Sequence, residues 1–167
     1  MPSKLITTAI VAVALSFASS RASSARVVRD PVDACALLTQ AQVSAVLGAS
    51  VGPGQPMMPG NHSTCSWSEP GASKGNGKRV ALDVFGPIGG LSPADRFNNA
   101  KKPVQSITKT PVTGVGDDAY FITTPGLGTG LNVRKGSSVF QLRVNGFPPD
   151  QIQTIEKVLA KDVLAKL

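Results

Sequence analysis

The residues of this chain that could do chemistry are few. There are two cysteines, Cys35 and Cys65, and one histidine, His62. A hydrolase built on a Ser or Cys nucleophile with an imidazole base would have to use that histidine. It sits in PGNHSTC among loop residues, and no nucleophile-elbow pattern accompanies it. Asp117 and Asp118, at the end of GVGDD, are the only adjacent acids. A hard cation needs more oxygen ligands than that stretch offers, so their expected role is at a turn and a strand start. GLGTG at 126–130 has the glycines of a phosphate cradle, but it leads into a strand and lacks both a following helix and a Walker lysine. No catalytic residue, cofactor site or metal ligand is assigned on these patterns, and no cofactor is expected.

The cysteines gain meaning from what precedes them. Lys4 gives a positive start, Leu5 to Phe17 is uncharged and mostly apolar, and Ser23 and Ala25 stand at minus three and minus one of a cleavage after Ala25. Residues 1–25 therefore read as a signal peptide and 26–167 as one domain, long enough to bury a core. The alternative is a retained anchor, yet the apolar stretch is shorter than the roughly 20 residues that span a bilayer. The expected location is secreted or periplasmic, with no transmembrane span in the mature chain. In that oxidising setting an even pair of cysteines is most simply a disulfide, Cys35 to Cys65, worth roughly 3 to 4 kcal/mol on the chain-entropy argument.

Charge excludes little else. The chain carries +7 overall, and cleavage would remove two of those charges with Lys4 and Arg21. The surplus is spread without a basic run and aromatics are scarce, so no nucleic-acid partner is expected. An anionic envelope component or another protein is the partner that this charge allows, and its identity is unknown from the sequence.

The elements that must position these residues are legible in outline. Thr39 with Gln42 forms a capping box, Gly48 is placed to end that helix, and Val43, Val46 and Leu47 share its inner face. Val51 to Gly60, rich in Pro and Gly, reads as a loop or an irregular edge strand. Cys65 and Trp67 share a strand face, and Val80, Leu82 and Val84 alternate with Ala81, Asp83 and Phe85 on the next strand. Ser92, Pro93 and Asp95 open a short helix to Lys101. Strands are expected at Val104 to Thr108 and Ala119 to Thr123, and at Leu131 to Lys135 and Val139 to Val144 across a turn at Gly136 and Ser137. A closing helix from near Pro149 buries Ile152, Ile155, Val158, Leu159 and Val163.

The last hairpin supplies the candidate site. Pairing Val133 with Phe140 and Leu131 with Leu142 places all four on one face, which leaves Arg134 and Arg143 together on the other, with Asp83 on the same side. Two arginines so placed are candidate ligand-binding residues for a carboxylate or phosphate.

The strings DACALLTQAQVSAVLG, CSW and GVGDDAYF, followed by a hairpin and a C-terminal helix, resemble secreted bacterial proteins of a domain family of unknown function. These are related to small envelope lipoprotein domains with a Cys-x-Leu-Leu-Thr start and a later Cys-x-Trp. This chain has Ala34 where proline is common in that group and lacks a lipid-attachment cysteine. The resemblance implies an export context and a shared fold, and it supplies no catalytic residue. The expected fold is α+β, an antiparallel sheet of about five or six strands with helices packed on one face and one disulfide. The expected function is a non-catalytic extracytoplasmic binding or interaction module. The alternative is a secreted enzyme, such as a hydrolase, in which the fold brings His62 and Asp118 together.

Overall fold

The computed structural model describes residues 32–57, 62–72 and 77–167. The signal-peptide reading of residues 1–25 lies outside them. Element order is α1 (Ala34–Leu37), α2 (Gln40–Leu47), β1 (Gln55–Met57), β2 (His62–Ser68), β3 (Arg79–Phe85), α3 (Pro93–Ala100), β4 (Thr108–Val112), β5 (Asp118–Thr124), β6 (Gly128–Lys135), β7 (Ser138–Asn145) and α4 (Pro149–Leu164). Among the described residues one sheet runs β1-β2-β3-β7-β6-β5-β4, antiparallel at every step.

One face of this sheet carries the core. Cys65, Trp67, Leu82, Phe140, Leu142, Leu131, Val133 and Phe121 alternate inward along their strands and pack with Leu37, Leu38, Val43 and Leu47 of the N-terminal segment and with Leu159, Ala160 and Val163 of α4. Local chemistry fixes the helix ends. The Thr39 side chain and Gln42 satisfy each other's backbone donors, and Gly48 ends α2 in the left-handed region. Cys35 in α1 and Cys65 in β2 are disulfide-bonded with Cα atoms 5.1 Å apart, so the first helical turn is fastened to the sheet beside Trp67. Gly54 passes so close to that point that a Cβ there would lie 2.8 Å from the Cys65 sulfur and 2.8 Å from the Trp67 indole nitrogen.

Four expectations need correction. The sheet has seven strands, not five or six, because Gln55–Met57 pairs with β2 as an edge strand despite Pro56. An edge position leaves one side of the strand unpaired, where a missing N–H costs no ladder bond. The same tolerance admits Pro111 into β4, which runs over Thr108–Val112, not Val104 to Thr108. Val104 and Ile107 instead close a turn with Ser106 at φ 68°. The helices are not confined to one face. Phe97 of α3 packs with Tyr120 and Val139, against Phe85 and Ile122, all of which point away from the main core. Finally, Val158 is exposed, and the buried stripe of α4 runs through Ile155, Glu156, Leu159, Ala160 and Val163.

Candidate functional site

The final hairpin pairs Val133 with Phe140 and Leu131 with Leu142, the register expected from the alternation. Arg134 and Arg143 accordingly project from the outer face. They do not meet. Arg134 is level with Val139, and Arg143 lies four residues further along β7, roughly 13 Å at the strand rise.

The two ends of the outer face differ in charge. At the Arg134 end, Asp118 pairs across from Arg134 on β5 and accepts from Lys101 Nζ at 2.8 Å, while Asp117 Oδ2 lies 4.0 Å from Arg134 Nη1. Asp117 also accepts the Gly136 N–H at 2.7 Å and Lys135 Nζ at 3.1 Å. The Gly136 N–H and then Lys135 hold its carboxyl below the usual carboxylate range. These two acids brace the hairpin turn and the end of α3, and Arg134 belongs with Lys101 and Lys135 to the cluster they pair. Across the middle runs a polar row, Thr64, Asp83, Gln141, Asn132 and Tyr120, neighbours on successive strands. Asp83 accepts from Thr64 Oγ1 at 2.5 Å, and burial pushes the Tyr120 phenol up.

At the other end stand Arg143 on β7, Arg79 on β3 and Lys109 on β4. Arg143 is exposed, and none of the three has an ion-pair partner among the described residues. Arg79 Nε donates to Ser68 Oγ at 3.2 Å, and Lys109 Nζ donates to the Lys102 carbonyl. The outer positions around Arg79 and Arg143 are small or neutral, Ser66, Ser68, Ala81, Asn145 and Gly130, and Ile122 stands between Gly130 and Lys109. Gly130 matters here because a Cβ on it would lie 3.1 Å from Arg143 Cγ, so the arginine stem lies over the glycine and leans toward β6.

Arg79 and Lys109 escaped the sequence reading. Arg79 has the parity of Ala81, Asp83 and Phe85, and extending that alternation by one step would have found it. Lys109 was hidden by the misplaced fourth strand. The residues of the hydrolase alternative are not brought together. His62 on β2 and Asp118 on β5 are four strands apart, roughly 19 Å at the interstrand spacing. Two open depressions, ≈ 670 Å³ beside Gly48, Glu69 and Lys78 and ≈ 410 Å³ beside Val46, Phe147 and Ile155, are lined by neither residue. No cluster of three or more His, Cys, Asp or Glu side chains suited to a metal ion occurs among the described residues. No helix among them is long and apolar enough to cross a membrane. Compared with family models, curated proteins and solved structures, the chain finds no match.

Proposed function

We propose that this protein is a non-catalytic binding module acting outside the cytoplasm, and that it takes an anionic partner on the outer sheet face around Arg143. The observation that carries this reading is the charge asymmetry of that face. Its acids are engaged with Lys101, Lys135, Arg134 and Thr64, while Arg143, Arg79 and Lys109 form no ion pair among the described residues. Guanidinium groups recognise carboxylates and phosphates through paired N–H donors, and neutral serine and asparagine neighbours leave that charge uncompensated. Separation of His62 from Asp118 weighs against the hydrolase alternative.

The test is retention on a carboxylate-bearing matrix. Arg143→Glu is expected to elute at clearly lower salt than the wild type, and Lys161→Glu, the same charge change on the far side of the sheet, to elute at much higher salt than Arg143→Glu. Equal losses from both variants would mean that bulk charge governs retention and would sink the reading.

A further inference from the structure

Resting on this anion-binding reading, we infer that the ligand is an extended acidic polysaccharide lying across the strands, held by Arg79, Arg143 and Lys109. The spacing argues for a chain. From β3 to β4 is four strand steps, so the three cations are distributed over roughly 19 Å. Arg143 leans over Gly130, away from Arg79, so the two do not close as a fork on one small anion. Neither described depression is lined by any of the three. A lone anion on such an open surface would make one screened ion pair of little worth, whereas a polymer engages the cations together and gains by effective concentration.

The neutral side chains around Arg79 and Arg143 point to sugar in preference to nucleic acid. Ser66, Ser68 and Asn145 offer hydroxyl and amide groups to sugar hydroxyls. Base stacking has no platform there, since Phe85 and Tyr120, the aromatic residues of the outer face on β3 and β5, pack with Phe97 of α3. Planar carboxylates on successive sugars match the guanidinium geometry of the two arginines.

Titration calorimetry of the purified protein at low salt, with polygalacturonate, galacturonate monomer, single-stranded DNA and anionic phospholipid vesicles as probes, decides the matter. Polygalacturonate is expected to bind at least about 100-fold more tightly per carboxylate than the monomer. Arg79→Gln, Arg143→Gln and Lys109→Gln should each weaken polymer binding severalfold and flatten its salt dependence, while Lys161→Gln should leave it unchanged. Circular dichroism confirms that each variant is folded, and the three separate substitutions keep the test open if one is not. Monomer bound as tightly per carboxylate as polymer would overturn the extended ligand and leave the anion-binding reading standing. DNA or vesicles bound as tightly as polygalacturonate would overturn the polysaccharide. Binding to none of the four would overturn both.

Discussion

Glu156 is the residue whose surroundings contrast most with its chemistry. It is fully buried on the sheet-facing side of α4, and its Oε1 accepts the Val144 N–H at 3.0 Å. That donor needs it, because the β6–β7 ladder ends at Leu131 and Leu142 while β7 continues to Asn145. Burial pushes the carboxyl up from 4.5 to about 8, and the hydrogen bond from Val144 and the charge of Arg143 only partly oppose it. Below pH 4.5 the folded and unfolded chains both hold the proton. Between 4.5 and about 8 only the folded chain does, so stability falls as pH rises, by at most about 1.4 kcal/mol per pH unit, and the contribution is lost above about 8. Glu156→Gln keeps an acceptor for Val144 and cannot ionise. Its urea midpoint is expected to lack that decline, so the variant should be the more stable protein at pH 8; parallel pH profiles would show that the wild-type carboxyl does not hold its proton in the fold.

At the scale of elements, α3 is the piece that the sheet holds by side chains alone. It is eight residues long, too short to persist by itself in water. Ser92 and Asp95 cap its start, Arg96 Nη1 donates to the Gly86 carbonyl at 3.2 Å, and Lys101 just past its end reaches Asp118. Phe97 is the apolar anchor, buried with its ring centroid 5.1 Å from that of Tyr120. Phe97→Ala should cost about 3 kcal/mol, the low end for a buried aromatic, because the opposing cluster is small. Hydrogen exchange would report early loss of protection in α3 with β3, β6 and β7 still protected; a uniform loss across the sheet would mean that α3 is integral to the main cooperative unit. The edge strands follow a different logic: Pro56 and Pro111 interrupt the open hydrogen-bonding edges of β1 and β4 and disfavour pairing with another chain.

For the whole molecule, the disulfide and the export reading stand on one experiment. Intact-mass spectrometry of protein recovered from its native cells and alkylated without reductant is expected to give a chain beginning at Arg26 with neither Cys35 nor Cys65 labelled. Reduction should then lower the melting temperature, since the bond closes a loop with a sequence separation of 30 and fastens α1 to the core, a contribution of roughly 3 to 4 kcal/mol. A species retaining Leu5 to Phe17 would favour the anchor, and labelled thiols would remove the cross-link.

Local and pairwise rules written along the chain were enough for much of this fold. The Thr39–Gln42 and Ser92–Asp95 caps, the alternation in β3 and the register of the β6–β7 hairpin follow from short-range chemistry, because a one-residue slip would turn every apolar side chain of that hairpin outward. What needed the tertiary structure was everything set by strand order and edge position. Pro111 looks like a breaker until its strand is seen at the edge, the structure chooses the edge strand over the loop at Pro56, and Phe97 has no visible partner until β5 and β7 are brought under it by the sheet. Glu156 breaks the apolar stripe of α4 for a reason that lies in an unpaired N–H twelve residues away. The separation of Arg134 from Arg143, and the placing of Arg143 on the same end of the face as Arg79 and Lys109, were decided in the same way, since alternation assigns a face to a side chain while only the pairing of strands fixes its distance from the next charge.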